Sequence, residues 1–400
     1  MKGERRNACP TLSAPMRTGD GLLVRLQAEK GSYTPAQMIG LAEAAARHGN
    51  GIIEITTRGS LQIRGLTEAS AEALAVDVNK LALVPRRGVP VETNPLAGLD
   101  PDEVADPRPL TEELRHAMRE RDWAPRLGPK VAVVVDGGGR VGLGALLADL
   151  RLTATAAGWR VSVGGTAETE TVIAVLPEAA AYERGIDVLQ AIAARGRDAR
   201  GRDLIRDGVL PTQLGEGSSR AAPNRHPAIG RFSLKTGNLA LGVSPMLGEI
   251  DAKALARFAG EAAAHGAAEL RPAPCYAMLA LHLDEAASCA LAACAADLGL
   301  ILDPFDPRLR VSACAGAPAC ASGHLATRPL AREIAASLAC GSAEAHVSGC
   351  EKRCAEPRVA VRAVGTAEGV SVNGGVPVAK TQALAAIEHA LRRGSRDNAA

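Results

Sequence analysis

The segment Gly21 to Leu66 can be laid on Asn238 to Leu283 with one constant offset of 217 and no gap. Leu22, Val24 and Leu26 then fall on Leu239, Leu241 and Val243, Gly31 on Gly248, Ala45-Ala46 on Ala262-Ala263, and His48-Gly49 on His265-Gly266. Such a repeat constrains the fold more than any single motif, because both copies have to form the same supersecondary unit. In each, alternating apolar residues predict a strand, and Thr34-Pro35 or Asp251-Ala252 opens an amphipathic helix. Gly49 or Gly266 ends that helix, and a second pair of strands follows. One β-α-β-β unit cannot cover its own sheet, so the copies are expected to pack together about a pseudo-two-fold axis. Two independent small domains are the alternative.

The second constraint is a set of two cysteine pairs. Cys314-Ala315-Gly316-Ala317-Pro318-Ala319-Cys320 is followed by a helical segment and then by Cys350-Glu351-Lys352-Arg353-Cys354. Four thiolates on two loops can converge on one metal centre, and backbone N-H groups freed by Gly and Pro can turn toward sulfur, which suits an iron-sulfur cluster. Structural zinc sites usually space paired ligands by two to four residues; the first pair here has five between them, which fits zinc less well. Plain buried thiols are the bland reading. Cys275, Cys289 and Cys294, set among Ala and Leu, take it most naturally, whereas Cys340 lies close enough to the pairs to be mistaken for a ligand.

With 400 residues, 47% of them apolar, and a net charge of +2, the chain has material for two or three domains and an ample core. Aromatic residues make up 2%, so base-stacking platforms are nearly absent and a nucleic-acid role is disfavoured. No apolar run follows the charged start Met1-Lys2-Gly3-Glu4-Arg5-Arg6, so neither a signal peptide nor a membrane span is expected, and the cytoplasm is the expected compartment. An odd count of nine cysteines fits metal or buried thiols better than a disulfide framework.

Between the repeats, Pro85 to Pro109 reads as a long connecting loop and Val131 to Val135 as a buried strand. Gly137-Gly138-Gly139-Arg140-Val141-Gly142 matches G-x-G-x-x-G, but Asp136-Gly137 is hairpin chemistry and strand-like alternation follows from Asp149 to Val163. A dinucleotide fingerprint is therefore rejected. Pro177 to Arg195 is expected to be a helix, Gly196 to Arg206 an arginine-dense loop, and Pro329 to Ala339 a helix. Arg358 to Val364 and Gly369 to Val372 read as strands, and Arg392 to Ala400 as a mobile tail.

Four stretches together resemble the sulfite/nitrite reductase superfamily: Ala8-Cys9-Pro10 through Gly21, Ile55-Thr56-Thr57-Arg58-Gly59-Ser60-Leu61-Gln62-Ile63-Arg64, Asn94 through Asp100, and the cysteine pairs. The N-terminal stretch and the modest length favour its precorrin-hydroxylating synthase branch over the reductases. The resemblance implies an α+β fold of duplicated ferredoxin-like half-domains about a pseudo-two-fold axis, plus two α/β domains, the second carrying a [4Fe-4S] cluster. The expected division is residues 1–80 and 221–295 for the half-domains, 81–220 for the first α/β domain and 296–400 for the cluster domain.

By motif match the cluster ligands are Cys314, Cys320, Cys350 and Cys354, with Cys354 in the place that bridges to siroheme iron in the reductases. Arg58 matches the first of two arginines that hold the reductases' anion, Arg87 the second and Lys130 the first of two lysines. Ala132 stands at the second lysine position, and this departure argues against a small oxyanion substrate, which gains most from a full cationic cage. The synthase branch implies hydroxylation of precorrin-3A at C20 by dioxygen, with lactone formation, in aerobic cobalamin biosynthesis; a siroheme-dependent sulfite or nitrite reductase is the alternative. Arg58, Gln62 and Arg64 alternate along one stretch and, with Arg25, are expected to face the many carboxylates of such a substrate. Without the resemblance, these arginines could equally solvate an exposed sheet.

Siroheme could occupy the pocket, or the substrate could lie there beside a non-haem iron, for which His282-Leu283-Asp284 has a ligand-like spacing, with His324 or His346 as a further imidazole. Nothing resembles a flavin or nicotinamide domain, so electrons are expected from a separate reductase.

Overall fold

A computed structural model describes residues 10–86, 88–210, 227–338, 342–354, 356–357 and 359–397. The first half-domain runs β1 (Met16–Thr18), β2 (Gly21–Leu26), α1 (Pro35–His48), β3 (Ile52–Ile55), β4 (Leu61–Leu66) and α2 (Glu68–Lys80). Helix α1 starts where expected: the Thr34 hydroxyl accepts from the Gln37 N-H at 3.2 Å, and the Gln37 side chain accepts from the Thr34 N-H at 2.9 Å. Pro35 occupies the first turn, where its missing N-H costs nothing.

A five-stranded sheet ordered β5-β6-β7-β8-β9 follows, from β5 (Val91–Thr93), α3 (Arg108–Glu120), β6 (Val133–Asp136), β7 (Ala148–Thr155), β8 (Gly158–Gly165), β9 (Thr171–Leu176), α4 (Glu178–Ala194) and α5 (Gly201–Arg206). Three expectations are corrected here. The loop from Pro85 to Pro109 contains β5 and the start of α3, and Gly196 to Arg206 ends in the short helix α5. Asp136-Gly137 does not turn a hairpin, because β6 and β7 are parallel. The Asp136 carboxylate instead accepts from the Gly138 and Leu143 N-H groups at 3.0 and 2.9 Å and organises a helix-free crossover, so the dinucleotide reading fails as expected.

The second half-domain runs β10 (Gly230–Ser233), β11 (Leu239–Val243), β12 (Glu249–Asp251), α6 (Ala252–Ala264), β13 (Glu269–Ala273), β14 (Ala277–Leu283) and α7 (Glu285–Asp297). Adding 217 to the starts of α1, β3 and α2 (35, 52 and 68) gives 252, 269 and 285, the starts of α6, β13 and α7. The halves also exchange backbone. Ile250 of β12 pairs with Ile53 of β3, while Tyr33 pairs with Leu270 of β13, and both pairs obey the same offset (33 + 217 = 250; 53 + 217 = 270). One core holds Leu41 and Ile53 of the first half with Phe258 and Leu270 of the second, as the pseudo-two-fold packing required.

The last sheet, β15-β16-β17-β18, comes from β15 (Val311–Ala313), α8 (Thr327–Ala336), β16 (Ala345–Ser348), β17 (Val361–Gly365) and β18 (Val370–Val372), and is closed by α9 (Ala383–Asp397). Helix α9 replaces most of the expected mobile tail. Cys9, Cys340 and Arg358 lie outside the described residues. Among the described residues, no helix is long and apolar enough to cross a membrane.

Candidate active site

Arg58 sits on the pseudo-two-fold axis. It forms a bridge with Pro274, and the Cys275 N-H donates to the Thr57 carbonyl at 3.1 Å. Since 57 + 217 = 274 and 58 + 217 = 275, the two crossing segments are mates of one another. Gly59 permits the crossing: its φ is +72°, and a Cβ there would come within 3.0 Å of the Pro272 carbonyl oxygen. Arg58 therefore lies in the turn between β3 and β4, whereas Gln62 and Arg64 lie on β4. The common strand face expected from alternation holds for the latter two only. The Arg58 side chain points to the first α/β domain, where Nη2 donates to the Leu147 carbonyl at 2.5 Å and Nη1 is buried without a partner. Burial pushes the Arg58 pKa down, and Glu92 and Asp149 oppose that push.

The outer face of the first sheet carries a polar chain. Arg25 donates to Gln62 at 2.9 Å, Gln62 donates to Glu54 at 2.5 Å, and Arg328 of α8 donates to Glu54 at 2.8 Å. Arg64, 4% exposed, is held by Asp20 through Nε and Nη2 at 3.1 and 3.0 Å and donates to the Ala319 carbonyl at 2.6 Å. Its hydrogen-bonding capacity thus ties the half-domain to the first cysteine loop, while Arg25 keeps a buried, unpartnered Nε.

The two cysteine loops adjoin. The Gly349 N-H donates to Cys314 Sγ at 3.1 Å, the His324 N-H to the Gly349 carbonyl at 2.7 Å, and the Cys320 N-H to the Gly316 carbonyl at 2.6 Å. Cys314, Cys320 and Cys350 are half-buried free thiols and Cys354 is an exposed one. Among the described residues, no three Cys, His, Asp or Glu side chains converge on a single ion site. A cubane binds each thiolate to a different iron, so its ligands stand further apart than those of one ion. Four unpaired thiols on adjoining loops, one already accepting a backbone N-H, fit a cluster in donor chemistry.

Lys130 is exposed in the turn before β6. Two residues on, the Ala132 N-H donates to Asp149 at 2.9 Å, and Asp149 takes a two-point ion pair from Arg200 at 2.9 and 3.0 Å. Arg87 lies outside the described residues. His282 and Asp284 do not form a metal pair by themselves: His282, with φ +69°, is the mate of Gly65 (65 + 217 = 282), with φ +72°, and Asp284 caps α7 by accepting from the Ala287 N-H at 2.7 Å. His346 is 2% exposed, its Nδ1 lies 2.8 Å from Ser312 Oγ, and burial lowers its pKa to about 4.

Sequence reasoning missed a cleft of about 270 Å³ beside Arg58, lined among others by Arg86, Arg115 and Arg271. Its only prior signal was the spacing of Arg108, Thr111 and Arg115, which share a face of α3 but look like an ordinary solvated stripe.

Two duplicated half-domains on a pseudo-two-fold axis, flanked by two α/β domains, define the sulfite/nitrite reductase-like fold. Residues 14–81 match the nitrite/sulfite reductase ferredoxin-like half domain. The Mycobacterium tuberculosis NirA protein superposes with a TM-score of 0.67 over 88% of this chain and 73% of that one, at 19% identity. Precorrin-3B synthase of a Sinorhizobium species is 41% identical over 363 residues, covering 88% of this chain and 79% of that protein. The chain belongs to the precorrin-3B synthase family.

Proposed function

We propose that this protein hydroxylates precorrin-3A at C20 with dioxygen and closes the lactone of precorrin-3B, as an iron-sulfur monooxygenase fed by a separate reductase. The observation that carries this reading is the 41% identity to a precorrin-3B synthase across most of both chains. Ala132 supports it further. The residue is 2% exposed and its N-H is committed to Asp149, so no second lysine completes a cage for sulfite or nitrite.

In this reading Cys314, Cys320, Cys350 and Cys354 would hold a [4Fe-4S] cluster, with Cys354 the ligand that the motif assigns to contact with siroheme or a non-haem iron. When bound, these groups supply single electrons and oxygen activation. The chain's own contribution is positioning. Arg58 Nη1 and Arg25 Nε are buried donors without protein acceptors, so each is suited to bind a substrate carboxylate. Arg64 and Gln62, occupied by protein partners, hold the sheet face and the cysteine loop in register as positioning residues. Lys130, exposed in the turn before β6, keeps its motif assignment as a further cation of the site.

Anaerobic incubation with precorrin-3A, then oxygen and reductant, should yield a product heavier by one oxygen atom, read by mass spectrometry. Sulfite or nitrite turnover with reduced methyl viologen at comparable rates would instead favour the reductase reading. Cys350→Ser should lower both iron and acid-labile sulfide and abolish conversion; unchanged iron and sulfide would remove Cys350 from the ligand set.

A further inference from the structure

The cleft beside Arg58 is built from α3 and β5 of the first α/β domain, the Arg58 turn on the axis, the loop between β2 and α1, and β13 of the second half-domain. Four buried polar atoms on its lining residues have no hydrogen-bond partner: Arg58 Nη1, Arg115 Nε, Thr93 Oγ1 and Thr111 Oγ1. Thr111 is 1% exposed and lies one helical turn before Arg115 on the same face. Buried donors of this kind are ordinarily paired, and leaving them unpaired costs free energy.

The other lining arginines already have partners, and Arg115 itself donates through Nη2 to the Val91 carbonyl at 3.0 Å. Arg86 pairs with Glu92 at 2.8 Å, Arg108 with Asp106 at 2.6 Å, and Arg271 with Glu269 at 2.7 Å and the Pro95 carbonyl at 2.8 Å. Those pairs stiffen the walls and leave the four orphaned atoms as the hydrogen-bonding capacity of the lining that no protein group takes up. All four can donate, and a carboxylate accepts up to about four hydrogen bonds. The lining carries Lys30, Arg58, Arg86, Arg108, Arg115 and Arg271 against Glu92 and Glu112, or against four acids once Asp106 and Glu269, the partners of Arg108 and Arg271, are counted; the excess stays positive and suits an anionic ligand. At about 270 Å³ the cleft falls below the ~300 to 1,000 Å³ typical of pockets that enclose a whole small molecule, so it seats an arm rather than a disc.

We propose that this cleft is the seat of one side-chain carboxylate of the macrocycle, with Arg115 and Thr111 as its substrate-binding contacts beside Arg58. The inference rests on the precorrin reading and adds residues that the reductase-like motifs do not include. It also places the edge of the disc over the Arg58 turn, with one arm reaching between the half-domains and α3.

The test is anaerobic binding of precorrin-3A, followed by absorbance, to the wild-type holoenzyme and to Arg115→Gln, Thr111→Val and Thr111→Ser, with conversion after oxygen addition read by mass spectrometry. Arg115→Gln and Thr111→Val should each raise the Kd about tenfold, the usual scale for one charged or buried hydrogen bond. Thr111→Ser, which keeps the hydroxyl, should bind like the wild type, and far-ultraviolet circular dichroism should be unchanged throughout. Wild-type affinity in both Arg115→Gln and Thr111→Val, with intact wild-type conversion, would overturn the seat and leave the precorrin reading standing. A wild-type protein that neither binds nor converts precorrin-3A would overturn that reading, and the seat with it.

Discussion

Arg64 concentrates more constraint than any other charged side chain near the site. Its side chain is 5% exposed and ion-paired to Asp20, and it also donates to a carbonyl of the cysteine loop 255 residues away. Removing one partner of a buried pair strands the other, at a cost of about 3 to 5 kcal/mol. Arg64→Gln should therefore lower stability by about 3 kcal/mol in urea unfolding, and, on the cluster ligation proposed above, should loosen the cysteine loop enough to lower iron and acid-labile sulfide. Burial works to raise the Asp20 pKa, but hydrogen bonds from Arg64 and Thr18 and the guanidinium charge outweigh it and hold the carboxyl below its ordinary value of 3.8. That contribution is present above pH ~4 and is lost as pH falls through the depressed folded value. His346 gives a second, separable pH dependence. Its folded pKa is about 4 against an ordinary 6.5, so between these values the unfolded chain takes up a proton that the folded chain does not. Stability should fall as pH drops from about 6.5 to 4 and then stop falling on its account. Urea midpoints at pH 7.5 and 5.0 should differ less in His346→Gln than in the wild type; an equal difference would assign the slope to other groups.

The strand pair β2-β4 and its mate β11-β14 each carry a register shift, between Leu22 and Val24 and at Leu239 and Ala240, and Gly65 or His282 stands opposite in the left-handed region. A bulge of the kind that turns through the left-handed region puts one residue at positive φ, which glycine supplies without Cβ strain. His282→Gly should accordingly be neutral or raise stability by up to about 1 kcal/mol in thermal unfolding. It should also leave iron content unchanged, whereas a drop in bound iron would restore His282 as a ligand. The half-domains were legible in the sequence because caps and period-2 strands recur 217 residues apart. The crossover after β6 was not. Asp136-Gly137 carries local hairpin chemistry, and only the tertiary pairing of Val133 with Leu150 reveals the parallel connection. For the same reason Arg58, Gln62 and Arg64 looked equivalent by alternation: the partners that separate them, Leu147, Glu54, Asp20 and Ala319, come from distant segments. The spacing of Thr111 and Arg115 on one face of α3 could not mark the cleft, since a helix face over a cleft and one over water have the same spacing.

Across the whole molecule the decisive feature is that neither half-domain completes itself. Strand β12 of the second half extends the first sheet beside β3, Tyr33 of the first half pairs into the second, and α1 packs along α6 within one continuous core. The Arg58 turn lies at this seam, so its precision depends on both halves at once. Phe258, fully buried in α6, belongs to the core that also contains Leu41 and Ile53. Phe258→Ala should cost about 3 to 5 kcal/mol, the range for emptying a large aromatic site. If the halves form one cooperative unit, hydrogen exchange should accelerate in α1 and β3 as well as in α6 and β13. Acceleration confined to residues 227–297 would mean that the halves unfold independently, and the axis would then be a contact surface rather than the scaffold that holds Arg58.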